Sequence, residues 1–346
     1  MYVKMFLSAT NIGFYIFERG LTSFEAYQAG VVHYDESHGR NFGLQVEMKT
    51  GASFFVKQCK SNDLENRRTF EKEAIFYDFM SNHPSHLTPS IPTFYDYDAR
   101  YAILVLELVL KAQNLYKIAS ISEQIIRQVA QVLAALHTFK KKELLPFSDH
   151  VPTLLTLHDT HTQRWLLSKN NTNHQALLKM LFSRKVLLEG LGHLAKNWRS
   201  ERLCHGDLKF ENILISTSQG LRLIDWEEAG WGDSLWDAAG VIQSLISKEL
   251  MESPQLIFSP FVASEPLKSP NIRQNSASFW STYTSLMDDT FAEEQVIGYV
   301  GARMIGRLFE YSSATDISAR AREMIPLAEK MITEPHKYTY LLKNNE

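Results

Sequence analysis

Apolar positions alternate with polar ones in the first third of the chain, which is typical of half-buried strands. The predicted strands are Gly30–Tyr34, Phe42–Met48, Ser53–Cys59, Thr93–Tyr97 and Ala102–Leu108. A short helix over Asn11–Arg19 precedes them, and an apolar stripe at helical spacing predicts a longer helix over Asp63–Ser81. Five strands and one main helix within about 110 residues predict a small antiparallel α+β lobe.

The pattern becomes helical after Leu110. Ser122 is placed to cap the first of these helices. The predicted helices are Glu123–Phe139, most of Asp159–Trp198, Phe279–Met287, Glu294–Tyr311 and Ile317–Thr333. A strand pair, Leu203–His205 and Ile213–Ser216, interrupts them and turns at Ser218–Gly220 into Leu221–Ile224. The proline- and serine-rich stretch Ser253–Ser276 is predicted to be a loop or an irregular insertion.

Charge and composition narrow the function classes. The chain has 36 basic and 39 acidic residues, a net charge of −3, so we expect no nucleic-acid binding through a broad basic surface. No apolar run approaches a membrane span, and the N-terminal stretch lacks the form of a signal peptide. The two cysteines, Cys59 and Cys204, are too few for a disulfide framework. We therefore expect a soluble cytoplasmic protein that does not bind membranes, and the oligomeric state stays open.

Three polar residues lie at the ends of short predicted strands: Asp207, Asn212 and Asp225. A hairpin between Ile213 and Ile224 would return Asp225 to the side where Asn212 lies. An amide oxygen and a carboxylate would then meet, which suits Mg²⁺ bound to phosphates. Asp207 remains to orient an acceptor hydroxyl and take its proton. The spacing therefore favours phosphoryl transfer, which depends on positioning and charge neutralisation.

The segment His205-Gly206-Asp207, with Asn212 and the later Ile224-Asp225-Trp226-Glu227, resembles the aminoglycoside phosphotransferase family within the protein-kinase-like fold. Leu133-Ala134-Ala135-Leu136-His137 and Gly232-Asp233-Ser234-Leu235-Trp236-Asp237 are similar to other family segments, with Ser234 in the place of a proline. The resemblance implies a bilobal α+β fold. Residues 1–110 would form a nucleotide-binding lobe of five strands and one helix, and residues 111–346 a mostly helical lobe with the catalytic loop and the acceptor-binding region.

The resemblance also implies roles for the nucleotide-binding residues. Lys57, at the end of the third strand, would contact the α- and β-phosphates of ATP, and Glu73 on the next helix would hold its ammonium group. Adenine would lie against the connector after the fifth strand, near Glu107–Val109, where the backbone of Glu107 and Val109 is the expected contact.

For the catalytic loop the family pattern makes Asp207 the base and Asn212 and Asp225 the Mg²⁺ ligands. His205 and Asp237 would support the loop from behind. Lys209 departs from many small-molecule kinases; it would steady the γ-phosphate, as in protein kinases, and so takes a catalytic role.

Two further departures from protein kinases concern the phosphate loop and the metal segment. No Gly-x-Gly-x-x-Gly is present; Gly39 and Gly43 flank the candidate loop, and Arg40 and Asn41 between them are the expected phosphate contacts. Asp225 is followed by Trp226-Glu227 instead of Phe-Gly.

We therefore expect an ATP- and Mg²⁺-dependent kinase that phosphorylates a hydroxyl of a small molecule, of the aminoglycoside, amino-alcohol or sugar type. One alternative is a kinase for Ser or Thr of a peptide in natural-product maturation. An alternative of another class is a nucleotide-binding scaffold without catalysis, or a fold member that transfers AMP. The choice of ATP or GTP, a lid role for Ser253–Ser276, and a cleft or surface role for Arg303 and Arg307 stay open.

Overall fold

The structure is a computed structural model of the 346-residue chain. It describes residues 6–38, 41–60, 64–141, 146–149, 151–169, 172–252, 267, 269–311 and 319–343. The strands are β1 (Val31–His38), β2 (Phe42–Met48), β3 (Phe54–Gln58), β4 (Phe94–Asp98), β5 (Ile103–Glu107), β6 (Gln113–Asn114), β7 (Arg202–Cys204), β8 (Ile213–Ser216), β9 (Gly220–Leu223) and β10 (Gly230–Gly232). The α-helices are α1 (Ile12–Glu18), α2 (Phe24–Ala29), α3 (Leu64–Asn82), α4 (Glu123–His137), α5 (Thr160–Lys169), α6 (Thr172–Phe182), α7 (Lys185–Lys196), α8 (Ser234–Glu252), α9 (Pro270–Ser285), α10 (Glu293–Tyr311) and α11 (Ala319–Thr333).

The chain divides into two compact units. The first unit contains Met1–Asn114 together with Asn212–Ala229, and the second contains Leu115–Glu211 with Gly230–Glu346. The first is built on an antiparallel sheet and the second is mostly helical, which confirms the predicted α+β class. The sequence-based prediction divides the chain once, after residue 110. In the structure, residues 212–229 also pack with the first unit, although they come much later in the sequence.

The main sheet of the first unit has five strands in the order β1-β2-β3-β5-β4. Every predicted strand is present, with ends shifted by a few residues. The register places Lys57 of β3 opposite Gly43 of β2 and Leu104 of β5. Lys57 is thus held in an inner strand of the sheet, where backbone bonds on both sides fix its position.

Helices cover the apolar face of this sheet. Ile12 and Ile16 of α1 join a buried cluster with residues such as Leu44 and Val56. The short helix α2 was not predicted. The sequence nevertheless contains a signal for its start, since Ser23 is a typical N-cap residue. The Ser23 side chain accepts a hydrogen bond from the Ala26 N–H at 3.2 Å.

A second, three-stranded sheet in the first unit has the order β6-β8-β9. The predicted hairpin turns as expected, with Ile213 opposite Leu223 and Ser216 opposite Gly220. The strand pair was predicted with the wrong partner for its first member, since β7 belongs to the second unit and pairs with β10. The strand partner of β7 is Gly230–Gly232. The sequence of β7 itself does not indicate this partner.

Helices α4 to α11 make up most of the second unit, and Ser122 caps α4 by accepting the Ile125 N–H at 3.3 Å. The loop predicted over Ser253–Ser276 is wrong at its end, because α9 begins at Pro270, a residue suited to the first turn of a helix. Residues 253–266 and 268 lie outside the described residues. Among the helices that the structure describes, none is long and apolar enough to cross a membrane.

Candidate active site

The most prominent charged cluster of the first unit surrounds Lys57. Its ammonium Nζ lies 2.9 Å and 2.8 Å from the two carboxylate oxygens of Glu73 on α3. The same Nζ is 2.7 Å from Oδ1 of Asp225, which follows β9. The structure therefore brings together three residues that are separated by up to 168 positions, and Lys57 joins the sheet, the helix and the hairpin in one ion-paired group.

Burial has the largest single effect on the pKa values of Lys57 and Glu73. It lowers the pKa of Lys57, but the carboxylates of Glu73 and Asp225 outweigh it and raise the pKa, so Lys57 stays protonated. For Glu73, burial raises the pKa to about 7, against the opposing effect of the Lys57 ammonium. Glu73 is fully buried, whereas the Asp225 side chain keeps 35% of its surface exposed. Asp225 is therefore the more exposed carboxylate of the cluster.

The hairpin positions Asn212 and Asp225 at its two ends. The Ile224 N–H donates to the Asn212 carbonyl at 3.0 Å, which closes the hairpin just before Asp225. Asp225 has a φ of 68°, a left-handed conformation that aspartate tolerates better than most residues. Behind it, the Trp226 ring stacks on Phe76 of α3 with centroids 3.8 Å apart. The predicted return of Asp225 toward Asn212 is thus confirmed, and Trp226 anchors the segment by packing.

These side chains line a pocket of about 350 Å³ within the first unit, a volume typical of small-molecule sites. Its other walls are mainly apolar residues of the sheet and of the connector after β5, among them Phe55, Leu106, Leu108, Val109, Leu214 and Ile224. Lys57, Glu73 and Asp225 supply the charged wall. The pocket therefore combines mainly apolar walls with one charged wall.

The Glu107 side chain, at the end of β5, hydrogen-bonds to two neighbouring segments. Oε2 of Glu107 accepts the N–H and the hydroxyl of Thr93, both at 3.0 Å, and Oε1 accepts the Gln219 amide at 2.6 Å. The Glu107 side chain thus ties the connector to β4 and to the hairpin. Glu107 and Val109 both line the pocket, so the segment predicted to face adenine is one of its walls.

Tyr77 is a pocket residue that sequence reasoning missed. It lies one helical turn after Glu73, is 1% exposed, and its hydroxyl has no hydrogen-bond partner among the described residues. Burial, with the carboxylates of Glu73 and Asp225, raises the pKa of this hydroxyl well above its usual range. A tyrosine one turn after the lysine-pairing glutamate was the available signal, and it reads equally as a core aromatic residue.

The phosphate loop is described only in part. Arg40 lies outside the described residues. Asn41 directly precedes β2, and its side-chain Oδ1 is buried without a hydrogen-bond partner in the described part of the chain. The phosphate-binding roles of both residues stay predictions.

The loop after β7 contains the predicted base Asp207 and, two residues later, Lys209. Nζ of Lys209 lies 2.8 Å from Oδ2 of Asp207 and 3.1 Å from Oε1 of Glu310 on α10. Burial lowers the pKa of Lys209, but these two carboxylates outweigh it and raise the pKa. Lys209 is therefore a fixed cation directly beside Asp207, and the Asp207 side chain remains 34% exposed.

Asp237 of α8 supports this loop from behind. Its buried carboxylate accepts the N–H of His205 at 2.6 Å and that of Gly206 at 3.0 Å. It also lies 3.3 Å from Nε2 of His137, and the hydrogen bond and charge of that histidine outweigh burial and lower the pKa of Asp237. Gly206 has a φ of 81°, which a residue with a side chain would adopt only under strain. The backbone of the loop is therefore fixed at the two residues before Asp207.

His137, Cys204 and Asp237 form a buried polar cluster whose ligand-type atoms lie within 4.8 Å of one another. Its polar atoms already have protein partners, since Nδ1 of His137 lies 2.8 Å from the Tyr283 hydroxyl. Burial, with the neighbouring Asp237 and Asp233 carboxylates, raises the pKa of the Cys204 thiol well above its usual range. A protonated thiol is a poor metal ligand, so this cluster fits a structural role.

Three features of the described residues are typical of a kinase-like phosphotransferase. They are the lysine–glutamate pair on β3 and α3, the hairpin that ends in an aspartate, and the aspartate-bearing loop that α8 supports. A family model described as the phosphotransferase enzyme family matches residues 38–256. The chain belongs to this family and is a phosphotransferase with an alcohol group as acceptor. The resemblance read from the motifs is thereby confirmed. No curated protein sequence matches the chain significantly.

Solved structures show the same fold at low identity. Choline kinase LicA from Streptococcus pneumoniae is 16% identical with a TM-score of 0.53, covering 92% of this chain and 99% of that chain. A choline/ethanolamine kinase family protein from Mesorhizobium loti is 14% identical with a TM-score of 0.54, covering 96% and 98%. Spectinomycin phosphotransferase, solved with ADP and spectinomycin, is 14% identical with a TM-score of 0.51, covering 88% and 89%.

Proposed function

We propose that this phosphotransferase moves the γ-phosphate of ATP, in the presence of Mg²⁺, to a hydroxyl of a small molecule that carries an amino-alcohol or amino-sugar group. The observation that carries the proposal is the contact of one lysine, Lys57, with both Glu73 and Asp225 in the wall of a pocket whose other walls are mainly apolar. A fixed ammonium group in that position binds the phosphates of a nucleotide, whose base occupies the apolar part.

The donor set of the first unit fits a magnesium ion. Asn212 and Asp225 both line the pocket, and they offer an amide oxygen and a partly exposed carboxylate, the hard oxygen ligands that Mg²⁺ prefers. When bound, the ion would neutralise charge on the phosphates. Lys57 would orient the α- and β-phosphates and Glu73 would hold Lys57 in place.

The second unit supplies the residues that act on the acceptor. Asp207 would accept the hydroxyl proton as the oxygen attacks the γ-phosphorus, and ADP leaves with the electrons of the broken P–O bond. Lys209, beside Asp207, would steady the γ-phosphate. His205 and Asp237 keep the loop in place through backbone bonds and touch no reactant in this proposal.

The choice of acceptor class follows the fold relatives, which include a choline kinase, an ethanolamine kinase and a phosphotransferase solved with spectinomycin. A peptide Ser or Thr is the second candidate, favoured by the Lys209–Asp207 contact, which is a protein-kinase-like feature.

The test is ADP release by the purified protein with ATP and Mg²⁺ in the presence of amino-alcohol, amino-sugar, sugar and Ser/Thr-peptide panels. Mass spectrometry of the products would show which hydroxyl gains a phosphate, and a parallel series with GTP would establish nucleotide choice. Magnesium-dependent ATP binding with no product from any acceptor would support the scaffold alternative and contradict the proposal. An adenylylated product would contradict it in favour of AMP transfer.

The raised pKa of Glu73 predicts a pH effect on nucleotide binding. Glu73 gains a proton as the pH falls through about 7, and the neutral acid holds the Lys57 ammonium less firmly. We expect the KM for ATP to rise up to about tenfold between about pH 8 and about pH 6. Glu73→Gln should show a raised KM throughout and lose this part of the pH dependence. Because titration of ATP itself is common to both proteins, an identical slope in the variant would contradict the assignment to Glu73.

Tyr77→Phe tests whether the pocket ligand reaches the back of the pocket. Removing a buried hydroxyl that lacks a hydrogen-bond partner among the described residues should raise the free energy of unfolding by about 1 kcal/mol. The same change should raise the KM for ATP by about twofold to tenfold if the hydroxyl donates a hydrogen bond to the nucleotide. Thermal unfolding and initial-rate kinetics measure the two effects separately, and an unchanged KM would remove Tyr77 from the binding site.

A further inference from the structure

Helix α10 carries two buried arginines one turn apart, Arg303 and Arg307, whose side chains are each 6% exposed. Nη2 of Arg303 donates to the Leu208 carbonyl at 2.6 Å and lies 3.9 Å from Oδ1 of Asp207. Nη2 of Arg307 donates to the carboxylate of Glu211. Leu208 directly follows Asp207 and Glu211 directly precedes Asn212, so the two arginines contact the loop next to both of its predicted functional ends.

The position of Arg303 is fixed from a second side by α8. Its guanidinium carbon lies 5.0 Å from the centre of the Trp236 ring, a cation–π distance. A Cβ at Gly240 would lie 2.2 Å from the Leu208 carbonyl oxygen and 2.9 Å from the Arg303 guanidinium carbon. Only glycine at this position leaves room for the contact between Arg303 and the loop.

A series of ion pairs connects Arg307 with Asp207. Nη1 of Arg307 also binds Oε2 of Glu310, and the other carboxylate oxygen of Glu310 lies 3.1 Å from Lys209. Lys209 in turn contacts Asp207 at 2.8 Å. Glu310 itself lies on α10. This helix therefore contacts the loop through the Glu310–Lys209 ion pair as well as through the two arginines.

We infer that Arg303 and Arg307 are positioning residues that hold the loop from Asp207 to Glu211 in its active shape, an inference that rests on the proposed function. Arg303 fixes the peptide group after the base and places a positive charge near its carboxylate. Arg307 fixes the residue before Asn212. Both act through the loop, so their loss changes the turnover of bound substrates, while the affinity for nucleotide stays the same.

The experiment compares Arg303→Met, Arg307→Met, the double variant and Arg307→Lys with the wild-type protein. Each single Met variant should lower kcat by about tenfold to a hundredfold, because small displacements of reacting groups have effects of this size. The KM for ATP and the affinity for ADP should stay within about twofold. The double variant should lose less than the product of the single losses, since both arginines hold one loop. Arg307→Lys, which keeps the charge opposite Glu211, should recover part of kcat.

Arg184→Met is the control for the loss of an ion-paired arginine, because Arg184 of the same unit, although more exposed, forms an ion pair with Glu329. Hydrogen exchange of the peptide that covers residues 205–212 gives a readout independent of activity. Faster exchange confined to this peptide in the Arg303 and Arg307 variants, with lowered kcat, supports the inference. An unchanged kcat, or faster exchange throughout the second unit, overturns it. If the wild-type protein itself releases no ADP, the proposed function fails, and the exchange data still decide whether the arginines hold the loop.

Discussion

Asp207→Asn should lower kcat for phosphoryl transfer by about 10³-fold or more, while ADP still binds with nearly wild-type affinity. Asparagine keeps the size of the side chain but cannot accept the hydroxyl proton, and a positioned base contributes about 10² to 10⁴ in rate. The substitution also removes a negative charge beside Lys209. Of the two carboxylates that the described residues place at its ammonium group, Glu310 would remain. The expected result is therefore a protein that binds the nucleotide and does not turn it over.

The measurement is single-turnover phosphate transfer with the best acceptor of the panel, together with ADP binding by calorimetry. Asp289→Asn is a suitable control, because Asp289 is also an ion-paired aspartate of the second unit, 2.5 Å from Arg202. Equal losses in the two variants would indicate a general effect on folding. Retained turnover in Asp207→Asn alone would remove Asp207 as the base.

Asp225→Asn should lower kcat/KM by about 10² to 10³-fold, because the pocket loses the carboxylate that would hold Mg²⁺ against the negatively charged phosphates. Asp225 contacts Lys57 at 2.7 Å and is the proposed Mg²⁺ ligand, so the change would affect both the lysine and the ion. We expect the Mg²⁺ concentration for half-maximal rate to rise strongly in the variant. Asp207→Asn should leave that concentration unchanged, which separates the two aspartates by role.

The rate of ADP formation, measured over a Mg²⁺ series at saturating ATP, checks this prediction. Asp96→Asn is the matched control in the first unit, because Asp96 forms a two-bond ion pair with Arg19 at 2.6 Å and 2.7 Å. A variant of Asp225 with normal rate and normal Mg²⁺ dependence would contradict the metal-binding role.

Local sequence signals were sufficient for the parts of the fold that depend on neighbouring residues. The alternation of apolar residues predicted all five strands of the main sheet, and the turn at Ser218–Gly220 predicted the hairpin that returns Asp225 to Asn212. The pairing of Lys57 with Glu73 came from the family resemblance, and the structure shows both carboxylate oxygens at the ammonium group.

Contacts between distant segments were beyond the reach of sequence patterns. Arg303 touches a carbonyl 95 positions earlier, and nothing in the apolar pattern of α10 distinguishes a buried arginine from a surface one. The short strand β7 likewise finds its partner in β10, since three residues carry too little periodicity to select a neighbour. Two local signals were present but overlooked: Ser23 before α2 and Pro270 at the start of α9.

The return of residues 212–229 to the first unit has a consequence for how this protein can be divided. A fragment ending at Asn114 would retain only β6 of the three-stranded sheet and would expose the Phe76 face on which Trp226 stacks. It would also leave Lys57 without Asp225. The first unit is therefore not a contiguous, exchangeable module. Recombination between relatives would have to keep both segments from one parent, which ties the inheritance of the β8–β9 hairpin to that of the main sheet.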